Sequence, residues 1–369
     1  MLMLPTFAQH PGVRLVAAAD PRPVARAQFA TDFGGRTYDT VAALCDDPAV
    51  EAVYIASPHT FHADHVRLAA RAGKHILVEK PMALTLADCR RMIDDAAEAG
   101  VWLIVGHSHS FDAPYLRTRA LIDSGVYGAV RMITAMNYTD FLYRPRRPEE
   151  LDTSQGGGVV WSQAAHQVDI VRLLAGSPIR TVHAATGRWD PARPTEGAYA
   201  AFLTFETGVF ATLTYSGYGR FDTDEFNGWV GELGQDRSAR VYGEARARLR
   251  TTPTAEAEAA LKDGRTYGAS ANAPLRTDPL PHNHFGVVVV SCERADLRPL
   301  PTGVMVYAND AATLDPLPPA VVPRAEVIDE LIAAVRQGAT PLHSGAWGME
   351  TVKTCQSILR SSMELLDQH

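Results

Sequence analysis

The chain has 369 residues, long for one domain and sufficient for two. Hydrophobic residues are 46% and charged residues 21%, a balance that fits a packed core and speaks against disorder. The net charge of −7 speaks against nucleic acid as the main partner, since such domains carry a strongly basic face.

No apolar run reaches the roughly 18 residues needed to cross a bilayer, so no membrane partner is expected. The start, MLMLPTFAQHPG, is short and lacks the basic n-region of a signal peptide. Cys45, Cys89, Cys292 and Cys355 are scattered, as expected of free thiols in a reducing cytoplasm rather than of disulfides or a zinc site.

In chain order, VRLVAAAD (13–20) reads as a buried parallel strand. Residues 22–33 read as a helix stopped by Gly34 and Gly35. AVEAVYIASP (49–58) is a second strand, Thr60 to Ala72 a helix stopped by Gly73, and HILVEKP (75–81) a third strand. Thr85 opens a helix as T-x-x-D with Asp88, Gly100 follows its end, and VWLIVGH (101–107) is a fourth strand. Strands alternating with helices of this length predict a doubly wound parallel sheet with ligands at the carboxyl ends of its strands.

After about residue 125 the pattern changes. AVRMITAMNY, RTVHAATGRW, AYAAFLTFE, GVFATLTYSGY and ARVYG read as strands, with Glu206-Thr207-Gly208 a turn tight enough to demand antiparallel neighbours. One helix at about 159–175 interrupts them, and two more at about 324–337 and 346–366 close the chain. Residues 252–282 show no clear period and read as a loop. The expected architecture is therefore a Rossmann-type α/β domain over 1–122 and an α+β domain over 123–369, the latter built on a mostly antiparallel sheet.

A Rossmann half opens with a strand, then G-x-G-x-x-G, then a helix. Neither of the first two is visible, and the chain enters at what reads as the middle of the first helix. A misplaced start or a truncated chain would explain this. So would a true loss of the phosphate cradle. The acid that ends the next strand, Asp20, stands where a Rossmann fold binds the adenosine ribose. It favours NAD by contacting both ribose hydroxyls, while Arg22 leaves NADP open by offering a partner to a 2′-phosphate. As a bare turn residue before Pro21, Asp20 would need no such role.

Several side chains carry chemistry. Lys80, in Glu79-Lys80-Pro81 at a strand end, points toward the ligand crevice and could exchange a proton with a substrate hydroxyl. Ser57-Pro58-x-x-x-His62 ends the second strand where the backbone can pass close to a cofactor. His59, His62 and His65 lie three apart and rotate off one helix face, so no metal is expected, and His107 and His109 do not alter this. Gly156-Gly157-Gly158 precedes a helix whose Ser162, His166 and Asp169 share a face at i, i+4 and i+7. His166 could serve as a general base. Arg144, Arg146 and Arg147 offer forks for a carboxylate, with Glu149 and Glu150 as the plainer ion-pair partners.

Taken together, AAADP (17–21), IASPHTFH (55–62), AGKHILVEKPMAL (72–84), SFDAP (110–114) and GGGVVWSQAAHQVD (156–169) resemble the glucose-fructose oxidoreductase/inositol dehydrogenase (Gfo/Idh/MocA) family across nearly the whole chain. The resemblance implies an NAD(P)-binding Rossmann half, an open-faced second sheet used in homo-oligomer contacts, and hydride transfer at a carbinol carbon. It places Lys80 and His166 at the catalytic positions. Asp20, Arg22, Ser57, Pro58, His62, Glu79, Lys80, Pro81 and Ser108 fall on the cofactor side. Ser162 stands where sugar and inositol dehydrogenases carry an acid, and Ser108-His109 replaces the usual Asn-Arg. With TDFLYRPRRPEEL and SCERADLRP, the text is more similar to the 4,5-dihydroxyphthalate (phthalate dihydrodiol) dehydrogenase branch. The expected substrate is then a small cyclic carboxylate, held by Arg144, Arg146, Arg147, Ser162 and Asp169. A sugar or inositol dehydrogenase and a non-catalytic dinucleotide sensor are the alternatives.

Overall fold

The computed structural model describes residues 3–237, 242–269 and 279–366. Helices α1 (Leu4–Gln9), α2 (Pro23–Phe33), α3 (Val41–Cys45), α4 (His62–Arg71) and α5 (Leu86–Glu98) alternate with strands β1 (Ala17–Ala19), β2 (Arg36–Tyr38), β3 (Ala52–Ile55), β4 (His75–Val78) and β5 (Leu103–Val105). Then come α6 (Ala113–Asp123), β6 (Val130–Tyr138), α7 (Ala165–Ala175), β7 (Ile179–Gly187), β8 (Ala198–Phe205) and β9 (Phe210–Ser216). The chain continues through α8 (Glu244–Arg250), α9 (Ala255–Asp263), β10 (Val287–Cys292), β11 (Ala295–Leu300), β12 (Gly303–Ala308), β13 (Ala312–Pro316), α10 (Ala325–Gln337) and α11 (Gly345–Leu366).

Two units form. The first is Met1–His107 with Ala260–Asp278 and Val322–Lys353; the second is Ser108–Ala259 with Pro279–Val321 and Thr354–His369. The later half of the chain thus returns twice to the first unit.

In the first unit the apolar runs make parallel strands, as expected. They form two separate sheets, β1-β2 and β3-β4-β5, not one. In a doubly wound sheet the strand that precedes α1 lies between these two, and no such strand exists among the described residues. The short β2 and α3 escape sequence reading because three and five residues show no period. Helix starts follow local chemistry: the Thr85 hydroxyl accepts from the Asp88 N–H at 3.0 Å and donates to the Asp88 carboxylate at 2.8 Å. Gly34 ends α2 at φ +65°, a conformation cheap only for glycine. The first turns of α11 lie on β5, where a Cβ on Gly348 would come 2.7 Å from Val105 Cγ2 and 3.0 Å from Met82 Sδ.

The second unit is an eight-stranded sheet in the order β13-β12-β11-β10-β6-β9-β8-β7, with only the β6–β9 pair parallel. The Glu206-Thr207-Gly208 turn joins the antiparallel β8 and β9, with Phe205 N–H on Val209 O at 2.8 Å. Alternation puts Ile133, Leu203, Ala211, Leu213 and Val290 on one buried face. There α7 lies against β6, and α6 against β11 and β12. On the other face Phe202 is 40% exposed and Phe210 38%, their rings 5.8 Å apart.

Two expectations change here. Residues 252–282 are not simply loop, because α9 forms within them. Its Glu258 is buried and accepts from the Arg146 N–H and the Arg193 guanidinium, both at 2.7 Å. This tertiary anchor orders a segment whose local periodicity is weak. Strands β10 to β13 were not anticipated. The turns of the expected strand ARVYG (239–243) can be compared only in part, since 238–241 lie outside the described residues.

Replacing Gly348 with Val should destabilise the protein by about 1–3 kcal/mol, because two methyls would be forced against β5. Urea unfolding at neutral pH reads this. An unchanged midpoint would show that α11 does not pack on β5 this closely.

Candidate active site

The chemistry-bearing residues of the first unit cluster at strand ends. Asp20 follows β1. Its carboxylate accepts from the Arg22 backbone N–H at 2.8 Å and from Arg22 Nε and Nη2 at 3.0 and 2.8 Å. Partial burial pushes its pKa up, but the Arg22 bonds and charge outweigh this and hold it below the usual carboxylate range. Arg22 also donates to the Thr266 hydroxyl at 2.8 Å. An ionised carboxylate at this strand end suits the two hydroxyls of an adenosine ribose. The Arg22 beside it is already engaged.

His62 is the most constrained of the predicted residues. Its ring is 1% exposed. Nε2 lies 2.9 Å from Ser57 O, and Nδ1 lies 3.2 Å from both Pro81 O and Met82 O. Carbonyls on both sides favour the charged ring, but burial weighs more and lowers the pKa from 6.5 to about 4. The neutral ring has one N–H and so donates to carbonyl oxygen on one side only, while it lies packed between the segment after β3 and the segment after β4. It acts by positioning those segments, because both nitrogens face the protein's own backbone. Ser57 Oγ lies 2.9 Å from His65 Nδ1. Pro58 caps the short 3₁₀ turn that leads into α4.

Glu79 is partly covered, takes a hydrogen bond from the Tyr54 hydroxyl, and has its pKa raised chiefly by burial. Its backbone N–H donates to Ile55 O at 3.0 Å, extending the β3–β4 pairing to the residue before Lys80. Lys80 is half-buried, and the Lys80–Pro81 peptide is cis. Ser108, beyond β5, is 2% exposed, and its hydroxyl meets no protein partner. A buried, unpaired hydroxyl at the end of a parallel strand is what a polar ligand group would satisfy. Within the first unit, the ionised carboxylate of Asp20 at its strand end fits the ribose diol of a dinucleotide.

In the second unit the glycine run shapes the approach to His166. Gly156 and Gly158 have φ of +84° and +83°. A Cβ on Gly157 would strike the Glu150 carbonyl at 2.6 Å, and one on Gly158 the Glu196 carboxylate at 2.1 Å. Buried Glu196 accepts the Val160 N–H at 3.1 Å and a bond from the Thr153 hydroxyl. The helix expected from residue 159 begins as a π turn, Val160–Ala164, before α7. The assumed α spacing of Ser162 and His166 therefore does not hold across the junction. The Ser162 hydroxyl donates back to Gly158 O. Asp169 pairs with Arg172 at 3.6 Å, and both are buried.

His166 meets a group that sequence reading passed over except as a metal ligand. The His109 backbone N–H donates to His166 Nδ1 at 3.4 Å, and the two rings meet edge to face at 4.7 Å. His109 Nδ1 lies 2.6 Å from Asp112 Oδ2, and both side chains are buried. Phe285 packs 4.9 Å from the His109 ring and 5.0 Å from His166. The i,i+3 spacing of His109 and Asp112 was visible, but their pairing with a residue 57 positions on was not.

The structure distinguishes the three arginines. Arg144 bonds Asp140 at 3.0 Å; burial opposes its charge, but Glu232 and Asp140 hold its pKa well above the ordinary value. Arg146 is 8% exposed and lies 3.6 Å over the Phe141 ring. It donates to Phe141 O at 2.8 Å and to Glu150 at 3.3 Å, while its Nε meets no protein acceptor. Burial lowers its pKa to about 10, so it stays charged at neutral pH. Arg147 sits at the start of a 3₁₀ turn and gives its backbone N–H to Glu150 at 2.9 Å.

Residues 2–107 match the family described as an oxidoreductase family with an NAD-binding Rossmann fold (Gfo/Idh/MocA), and residues 115–247 match the Gfo/Idh/MocA C-terminal domain. The chain belongs to this family. A relative from Comamonas testosteroni, 1-carboxy-3-chloro-3,4-dihydroxycyclo hexa-1,5-diene dehydrogenase, is 49% identical over 361 residues, covering 97% of this chain and 91% of the relative. Inositol 2-dehydrogenase 2 of Saccharopolyspora erythraea is 31% identical over 230 residues, 60% of this chain and 65% of its own length. A crystal structure from Bordetella bronchiseptica RB50 superposes with a TM-score of 0.92 at 42% identity, covering 98% of this chain and 94% of that one. Family membership makes the protein an NAD-dependent oxidoreductase, with the cofactor fold in its first half.

The His62 pKa carries a stability consequence. Between about 4 and 6.5 the unfolded ring binds a proton that the folded ring refuses. The His62 contribution is complete above 6.5 and is lost as pH falls toward 4, about 3 kcal/mol in all. His62→Gln should shrink the stability loss between pH 7 and pH 4.5 by about 2 kcal/mol, measured by urea unfolding at both pH values. Equal acid sensitivity in the two proteins would refute the assignment.

Proposed function

We propose that the protein oxidises a hydroxyl-bearing carbon of a small cyclic carboxylated substrate, a dihydrodiol of the phthalate type, with NAD as acceptor. The 49% identity to the Comamonas testosteroni dehydrogenase over nearly the whole chain carries this reading. That relative's name describes a ring with one carboxylate and two adjacent hydroxyls. Ser162, where an acid would hold a polyol, and the buried Arg146 support the same substrate class.

Residues 1–122 form the cofactor domain in this reading, and 123–369 the substrate domain. Asp20 takes the adenosine ribose hydroxyls, which favours NAD over NADP. Ser57, Pro58, Glu79, Pro81 and Ser108 line the cofactor, and His62 holds two of those segments in place. When bound, the nicotinamide supplies the hydride acceptor. Lys80 and His166 are the catalytic residues, one taking the hydroxyl proton and the other orienting the substrate oxygen. The ketone formed from such a dihydrodiol can enolise to an aromatic diol, so this step belongs to aromatic-ring catabolism. Arg146 binds the ring carboxylate through its spare Nε–H, with Arg144, Arg147, Ser162 and Asp169 shaping the surroundings.

The open face bearing Phe202 and Phe210 is the surface through which copies of the chain assemble, since such a face is unstable in water. No helix among the described residues is long and apolar enough to cross a membrane. Cys45, Cys89, Cys292 and Cys355 form no disulfide among the described residues, and we place the protein in the cytoplasm.

A panel of substrates followed by NADH absorbance tests the reading. Carboxylated cis-dihydrodiols should turn over, and inositol and hexoses should not; the reverse would favour the inositol-type relatives. Lys80→Met should lower kcat about 10²–10⁴-fold with NAD affinity retained. Intact turnover with bound cofactor would remove Lys80 from the chemistry. Arg146→Lys should raise KM about tenfold for carboxylated substrates and leave uncharged dihydrodiols unaffected.

A further inference from the structure

Resting on the dehydrogenase reading, one question inside it can be decided from geometry: whether His166 is able to take the proton. The answer lies in which ring nitrogen of His166 carries its hydrogen. A backbone N–H can only donate. The His109 N–H points at His166 Nδ1 at 3.4 Å, so that nitrogen must present its lone pair. The hydrogen of neutral His166 then resides on Nε2. A ring in this tautomer offers a donor on its far edge and has no basic site there.

We propose that His109 and Asp112 are positioning residues that fix His166 as an Nε2–H donor, so that His166 orients the substrate oxygen and the hydroxyl proton goes to Lys80. The His109 peptide is held in direction by its own side chain. Nδ1–H of His109 donates to Asp112 Oδ2 at 2.6 Å. The other carboxylate oxygen of Asp112 accepts from Asn283 Nδ2 at 3.2 Å. The Asp112 N–H closes on His109 O at 3.1 Å, completing a 3₁₀ turn over His109–Phe111. Phe285 stands against both imidazoles, and its own N–H is held by the buried Tyr115 hydroxyl at 2.9 Å. Glu232 and His284 are the further titratable groups close enough to His109 to interact with its charge. An ionised Asp112 on Nδ1 keeps His109 from rotating toward them.

The step balances without further reagents. The O–H bond breaks, and its proton goes to Lys80, the other residue of the proposed pair. The C–H bond breaks with its electron pair, which leaves as hydride to NAD. A C=O bond forms, and Nε2–H of His166 donates to that oxygen as negative charge develops on it. A neutral imidazole serves better here than an imidazolium, because it donates without giving up its proton.

Nitrogen-15 NMR of histidine-labelled protein reads the tautomer directly, with His166 assigned by its loss in His166→Gln. The expected signature at pH 7.5 is an unprotonated Nδ1 and a protonated Nε2. A protonated Nδ1 would overturn the proposal, whatever the substrate proves to be. Kinetics give the second arm. Asp112→Asn and His109→Ala should lower kcat about 10–100-fold, with KM and NAD affinity within threefold of wild type. His109→Asn, whose amide can replace Nδ1–H toward Asp112, should recover at least a third of the loss on a logarithmic scale and keep the His166 tautomer. If His109→Ala folds, keeps that tautomer and keeps kcat, neither residue positions His166. If wild type turns over no carboxylated dihydrodiol, the substrate reading fails while the NMR still decides the tautomer.

Discussion

A neutral imidazole sealed between two strand ends sets what the cofactor side can do. His62 has one hydrogen and carbonyl oxygens on both sides, and burial keeps it from taking a second proton. The ring lies packed between the segment after β3, with Ser57 and Pro58, and the segment after β4, with Pro81 and Met82, and its one N–H bonds one of them. A parallel sheet aligns strands only up to their last ladder bond. Beyond it the loops would be free to diverge by ångströms, and the buried ring packed between them limits this.

The second unit solves the same problem with a carboxylate. Glu196 is buried, accepts the Val160 N–H at the start of the π turn, and leaves room for no side chain at Gly158. Three glycines let the backbone pass between Glu150 and Glu196, so that the His166 helix begins at a fixed point. The π turn belongs to this arrangement, since five residues are fitted between that anchor and α7. In both units a buried polar group whose partners among the described residues are backbone atoms and hydroxyls thus fixes a segment that leads to a candidate side chain.

Sequence reading succeeded where the signal was local. Thr85 and Asp88 marked a helix start, Gly34 a helix end, and Glu206-Thr207-Gly208 an antiparallel turn, and each is found in the structure. It failed where the deciding interaction was remote. Helix α9 is anchored by Glu258 to arginines 112 and 65 residues away. Strand β11 alternates well but is interrupted by Pro299, which speaks against a strand, and β13 is exposed along most of its length. The apolar run of β10 did carry a readable signal. At the site, the residue types at 20, 62, 80 and 166 could be chosen from sequence, but their duties could not. His62 looked like a cofactor contact until its nitrogens were seen to face carbonyls, and His109 has a role only because His166 lies beside it.

The two histidines of the second unit also bear on why an acid is absent at position 162. An acid one turn before a catalytic histidine would orient that ring and raise its basicity, fitting it to remove a proton. Here Ser162 turns its hydroxyl onto Gly158 O, and the orienting carboxylate belongs instead to Asp112, which acts on His109. The negative charge has moved one imidazole away from His166. Next to His166 it would oppose both a carboxylated ring and the alkoxide that develops in the reaction. Spaced off behind His109, it still fixes geometry at less electrostatic cost to an anionic substrate. Within the proposed function the arginines complete this logic: Arg146 keeps its charge at neutral pH despite burial, and Arg144 is held charged by Glu232 and Asp140.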